Sequence, residues 1–483
     1  MDRKTHEAVA GAPADGDGAA RDVPQQVLGL REAISLIVGI VIGAGIFKAP
    51  SMVAGLAGST AWMFAAWLLG GVISLAGALC YAELATAYSH AGGDYHFLRR
   101  AYGRSVSFLF GWARFSVITT GSIALLAFVF GDYMKQILPL PGLGAAANTS
   151  LYAAAAILSL SWINLRGMRS GAFTQNWLTL IEIGGLLLLV AGAFTLGNEP
   201  VPAQVAAKDP GAASLGMAMV FVLLTYGGWN EAAYISAELR DARRNMVKSM
   251  VWSILIITLL YLMVNWAFWR GLGLEGMARS EAVAADLLNG AFGPAGGTII
   301  SIIVAISALT SMNATMIVGA RTTYAIGRDW PVLAALGAWD GKRGTPSVAM
   351  RVQCIVALLL VAVGTWQGSG FTSMVEFTAP VFWLFFLLSG MSLFVLRLRE
   401  PDTERPFRVP LYPLLPALFC IMCAYMLWSS LSYVSSQSLG GLNAAWIGVA
   451  VLLLGCVLLV PMLSRDAQRR HSSIQSLPAR RRP

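Results

Sequence analysis

Residues 39–47 read Gly39-Ile-Val-Ile-Gly43-Ala-Gly45-Ile-Phe47 and lie within an apolar run from about 32 to 54. Glycine is entropically poor inside a helix, so Gly43-Ala44-Gly45 marks an interruption. A second run, about 213–238, is interrupted by Thr225-Tyr226-Gly227-Gly228-Trp229-Asn230, where two glycines are bordered by aromatics. At 1.5 Å per residue both interruptions lie about 17–21 Å into their runs, near the middle of a bilayer. The plainer reading of Gly39 and Gly43 is a small-xxx-small packing face, and that of Gly227-Gly228 is an ordinary kink. A dinucleotide-binding fingerprint is excluded, because no strand precedes the glycines and the spacing is not GxGxxG.

The rest of the composition sets the frame for these breaks. Of 483 residues 57% are hydrophobic and 12% charged, with mean hydropathy +0.65. Soluble domains carry about 25% charged residues, so a soluble enzyme, a disordered chain and a nucleic-acid binder are all excluded. Apolar runs of about 20 residues are membrane-span length, and the chain divides into twelve. They are about 32–54, 59–87, 104–134, 150–165, 175–197, 213–238, 249–270, 295–326, 347–365, 372–396, 411–431 and 442–463. The third and eighth are long, which predicts strong tilt. Residues 1–31 are polar, lack a cleavable signal pattern, and read as a disordered cytoplasmic tail, as do 464–483.

With twelve spans and a cytoplasmic N-terminus, 28 Lys and Arg fall in inside segments and five outside, the 34th being Arg114 within the third span. That bias puts both ends in the cytoplasm. The net charge of +9 is therefore an orientation signal. Five cysteines sit in apolar runs, and Cys420-Ile-Met-Cys423 reads as helix packing with neither zinc nor redox chemistry. Asn148-Thr-Ser150 is a formal glycosylation sequon. No metal site and no cofactor are expected.

Spans one and six are corresponding members of two five-span halves, about 32–197 and 213–396, with two extra spans in about 411–463. Five is odd, so the halves have opposite topology, and paired glycine-broken helices are the pointer to a secondary transporter's substrate site. At each break, N–H groups opening a half-helix can bind an anionic group, and unwound carbonyls can take an ammonium. Such a site suits a zwitterionic α-amino acid. The aromatics around Gly227-Gly228 are expected to close over its side chain. Glu182, about seven residues into the fifth span, is costly there and marks function by default, as a proton carrier or as a neutral hydrogen-bonded carboxyl. Glu83, Arg114, Glu231, Glu238 and Glu376 read as structural or gating charges, with Glu231 a candidate to face the pathway. No nucleophile, base or metal constellation supports a membrane-embedded enzyme, the remote alternative.

Several of these segments together resemble the amino acid–polyamine–organocation (APC) transporters. They are Val41-Ile-Gly-Ala-Gly-Ile-Phe47, Tyr81-Ala-Glu-Leu-Ala-Thr-Ala-Tyr88 with Gly92-Gly93-Asp94-Tyr95, Tyr226-Gly-Gly-Trp-Asn230 followed by Glu238, and Arg405-Pro-Phe-Arg-Val-Pro-Leu-Tyr-Pro413. The third span, Gly111-Trp-Ala-Arg-Phe115 through Gly121-Ser122, looks most like the L-type amino acid transporter branch. The resemblance implies an all-α, leucine-transporter-type fold of twelve transmembrane helices working by alternating access in the cytoplasmic membrane. It implies a substrate carboxylate on the N–H groups of Gly43, Ala44 and Gly45. The ammonium would meet carbonyls near Val41 and Ile42 and those around Tyr226 to Trp229, Gly227 and Gly228 included. Selection of the side chain would fall to Thr119, Ser122, Tyr226 and Trp229. Many relatives carry a lysine in the fifth span; here Glu182 stands there, which favours direct proton carriage. Ser89 stands where relatives usually have proline. The expected partners are an amino acid and the lipid bilayer, with a partner subunit unknown. Proton-driven uptake is the expected activity, exchange of amino acids or amines the alternative.

Overall fold

The structure, a computed structural model, describes residues 29–88, 93–166, 172–196, 211–235, 239–340, 345–368, 370–437 and 444–475. Ser89, Gly92 and Glu238 lie outside them. The described residues are helical throughout, with one isolated β-bridge between Asp340 and Thr345.

The first span is two half-helices. Helix α1 (Leu30–Val41) ends where Ile42 and Gly43 turn extended, a 3-10 turn follows over Ala44–Phe47, and α2 (Ala49–Ala57) starts with Pro50 in its first turn. A proline fits there because a first-turn N–H has no partner in the helix anyway. Gly58, at φ +67°, stops α2, and Ser59 caps α3 (Thr60–Ala87) by accepting from the Trp62 N–H at 3.3 Å. The short α4 (Gly93–Tyr102) precedes α5 (Arg104–Ala113) and α6 (Thr120–Ile137), which are joined by a π-helical turn over Arg114–Thr119. Thus the long third run contains a widened turn at cavity level.

Next come α7 (Ala145–Leu165), α8 (Ala172–Thr195) and α9 (Ala212–Thr225), the last followed by a break and a 3-10 turn over Trp229–Ile235. Helix α10 (Ala242–Arg279) kinks at Gly273, and α11 (Val283–Asp329) at Gly293, just before Pro294. Helix α11 starts before the expected eighth span, and its kink at Gly293 lies just ahead of that span. The chain closes with α12 (Ser347–Trp366), α13 (Gly370–Arg399), α14 (Leu414–Gln437) and α15 (Ala444–Gln475). Helix α15 runs on past 463, where the C-terminal tail is expected to begin. Residues 462–475 hold neither glycine nor proline, and the helix runs through them.

Among the described residues the expected apolar runs are mostly helix. Among the described residues eight helices are long and apolar enough to cross a membrane, and 180–195, 212–225 and 444–460 are shorter apolar helices. Large apolar side chains such as Leu68, Val72, Leu158, Trp162, Leu259, Leu359, Ile421 and Val457 are exposed on outward faces. Water would not tolerate so much of this surface, whereas lipid does. The protein is a multi-pass membrane protein.

One buried ion pair organises a whole end of the bundle. Glu83 of α3 is 1% exposed. It accepts from Arg397 Nε at 2.8 Å, from an Arg397 terminal nitrogen at 2.5 Å and from the Val409 N–H at 2.7 Å, with Arg405 Nε 3.6 Å away. Arg405 in turn donates to the carbonyls of Leu396, Glu400 and Thr403. The segment Arg405–Pro413 therefore folds around a carboxylate supplied more than 300 residues earlier.

Candidate functional site

The two helix breaks meet. A Cβ on Gly45 would lie 3.6–3.8 Å from Thr225, and one on Gly228 would lie 3.0 Å from the Ile40 side chain and 3.3 Å from its carbonyl oxygen. Gly228 also has φ +106°, a conformation open to glycine and strained for other residues. Tyr261 of α10, fully buried, joins the breaks: its hydroxyl lies 3.0 Å from the Val41 carbonyl oxygen and 3.0 Å from that of Thr225. One proton is thus shared between acceptors on two discontinuous helices.

Beside this junction is a cavity of about 410 Å³, a size suited to a small organic molecule. Val41, Gly43, Ala44, Gly45, Gly227 and Gly228 line it from the breaks, and Thr119 and Ser122 from the π-turn and α6. Much of its remaining wall is apolar and aromatic, notably Phe221, Phe371 and Phe382. Phe221 and Phe371 stack at 6.1 Å with planes 14° apart. At the opposite end Arg114 pairs with Glu231 at 3.1 Å, and Asp94 is held by Tyr81 and Ser389 at 2.5 and 2.8 Å. Burial pushes the Asp94 carboxyl above the usual carboxylate range, against those two hydrogen bonds.

Three of the residues named from sequence lie outside the cavity lining. The Tyr226 ring does not line the cavity: its hydroxyl donates to the Trp67 carbonyl at 3.1 Å, among Trp67 and Tyr261. Trp229 also turns away, packing edge-on to Tyr81 at 5.3 Å and filling the space at Gly77, where a Cβ would approach its ring to 2.6 Å. The reason is helix phase, since the residues bordering the glycines point into α3 and leave the glycines facing the cavity. Ile42 is fully buried and outside the lining. The aromatics that do face the cavity come from α5, α9 and α13. The Asn148 amide is likewise committed, exchanging hydrogen bonds with the Leu140 backbone at 3.1 Å each way.

Residues 28–457 match the family described as amino acid permease. The chain belongs to that family. It is 31% identical over 410 residues to the b(0,+)-type amino acid transporter 1 of Homo sapiens, covering 83% of this chain and 82% of that protein. Its Mus musculus counterpart is 30% identical over 411 residues, with the same coverage. The large neutral amino acids transporter small subunit 2 of Homo sapiens is 29% identical over 452 residues, or 92% and 83% of the two chains. The permease is accordingly an amino acid transporter and not an enzyme.

Glu182 of the permease is 4% exposed and accepts from Ser307 of α11 at 2.6 Å. It does not line the cavity, but Ser307 lies one turn along α11 from Ser311, which does, and a Cβ on Gly43 would meet the Ser311 hydroxyl at 3.4 Å. Charge at Glu182 is thus separated from the first break by two serines on one helix face. Glu231 reaches the cavity, as its position after the break allowed. Tyr261 was missed by sequence reading, because a tyrosine inside an apolar run carries no signal of what its hydroxyl meets. Tyr261→Phe should strip the shared proton from two buried carbonyls, at a cost of about 1–3 kcal/mol. Uptake by the purified permease in proteoliposomes is expected to fall about tenfold; an unchanged rate would remove Tyr261 from the machinery.

Proposed function

We propose that the permease carries zwitterionic amino acids by alternating access, with the substrate held where the two broken helices meet. The observation that carries this reading is the convergence of both breaks on one cavity. The first N–H groups of the turn Ala44–Phe47 are unpartnered within it by helix geometry and would receive the carboxylate at Gly43, Ala44 and Gly45. Carbonyls at Val41, Ile42 and 226–229 would take the ammonium, and Thr119 and Ser122 would face the side chain. The transporter unit of about 32–463 would be twelve spans in a leucine-transporter-type inverted repeat, about 32–197 and 213–396, plus two extra spans. Both termini would be cytoplasmic in the cytoplasmic membrane, as the 28-to-5 distribution of Lys and Arg favours.

We further propose that uptake is coupled to protons through Glu182, buried on the first break's side of α11. In proteoliposomes an inward proton gradient should then drive accumulation, and Glu182→Gln should retain binding while losing the response to the gradient. Uptake that requires internal amino acid and ignores the gradient would replace this with exchange. Tyr261 favours that second reading, because its hydroxyl already ties the breaks together without an ion. The words small subunit in one relative's name also raise a partner chain for this permease. Light scattering on protein isolated from its native membrane would reveal it as mass beyond one chain and its detergent.

A further inference from the structure

A second, polar cavity of about 210 Å³ is lined by Lys48, Asp132, Lys135, Thr149 and Glu281 among others. Phe371 lines both cavities, so its ring borders each of them. Lys48 directly follows the turn Ala44–Phe47 and is 5% exposed. Its ammonium pairs with Asp132 of α6 at 2.7 Å and donates to the Glu281 carbonyl at 2.7 Å. Asp132 also accepts from Thr149 of α7 at 3.0 Å and has Lys135 3.6 Å away, which in turn pairs with the Glu281 carboxylate. Beside this network the Tyr133 hydroxyl donates to the Phe47 carbonyl at 2.6 Å. A cation buried this deeply is retained only with good partners, and here they come from two separate segments, α6 and the stretch between α10 and α11.

We propose that Lys48 is a positioning residue for transport, forming with Asp132 an ionic latch that ties the start of half-helix α2 to α6 and closes the central cavity to the outside. The inference rests on the orientation proposed above. Opening outward requires α2 to leave α6, so the Lys48–Asp132 pair must separate in each cycle. The network also fixes an order of effects. Without Lys48, Asp132 keeps Lys135 as a cation; without the Asp132 charge, Lys48 loses its only carboxylate among the described residues.

The test uses the full chain with its five cysteines replaced and Leu125→Cys, in the central cavity, labelled from outside by a membrane-impermeant thiol reagent. Asp132→Asn should speed labelling about fivefold and Lys48→Met by less, the size of shift that loss of a partly buried ion pair gives. Lys48→Arg should label as slowly as the parent, and the exchange Lys48→Asp with Asp132→Lys should restore most of the slowing. Transport should fall in the two single neutral variants. Labelling at the parental rate in both of them, with Lys48→Arg folded, would overturn the latch. Ala146→Cys, exposed beside the outer cavity, serves as the orientation control. Its labelling only after permeabilisation would refute the orientation, whatever the latch variants do.

Discussion

Glu83→Ala should leave little folded permease in the membrane. The carboxylate is almost fully buried between two guanidiniums and a backbone N–H. Its removal strands Arg397 and Arg405 without their counter-charge. Breaking a buried pair from one side costs about 3–5 kcal/mol, a large share of the roughly 5–15 kcal/mol that holds a protein folded. Arg397 would keep its position over the Tyr412 ring, 3.8 Å from the centroid, but that contact is worth only about 0.5–2 kcal/mol. Glu83→Gln keeps an acceptor for the Val409 N–H and should lie between parent and alanine. Thermal unfolding of the purified variants, followed by size-exclusion of the soluble fraction, reads the difference. A parental Tm for Glu83→Ala would show that the Arg405–Pro413 segment is held by something else.

Gly228→Val should abolish substrate binding while sparing most of the fold. A β-branched residue at φ +106° is strained by about 1–3 kcal/mol, and its Cβ would also press on Ile40, 3.0 Å away. The chain can relieve both only by shifting the second break relative to the first. That shift moves the carbonyls of Thr225 and Val41 off the Tyr261 hydroxyl. Gly228→Ala carries the same strain with less bulk and should be weaker. The readout is ligand-induced thermal stabilisation, where a bound ligand at a hundredfold its Kd adds about 2.7 kcal/mol. The parent should be stabilised by at least one amino acid and Gly228→Val by none. Equal stabilisation would mean that the break geometry does not shape the site.

The helices and both breaks were legible because they are local. Composition sets the apolar runs, and Gly43-Ala-Gly45 and Gly227-Gly228 announce their own interruptions. Thr119 and Ser122 were named through the family resemblance, and they line the cavity from the run whose middle widens into a π-turn. What could not be read was direction and partnership. Tyr226 and Trp229 border the glycines in sequence, yet helix phase carries their rings into α3, while Phe221 and Phe371 take the cavity wall. Lys48 with Asp132, and Glu83 with Arg405, are pairs between residues far apart in the chain. Glu83 was visible singly, as a charge near a span end, but nothing local names its counter-charge. Tyr261 was invisible for the same reason.

Central to this account is that amino acids cross the membrane through the junction of the two broken helices. Uptake of labelled amino acids into proteoliposomes, comparing the parent with Gly228→Val at matched reconstitution, addresses it most directly. Saturable uptake by the parent, competed by excess unlabelled amino acid and absent in the variant, is the predicted result. Equal uptake by the variant would contradict the account.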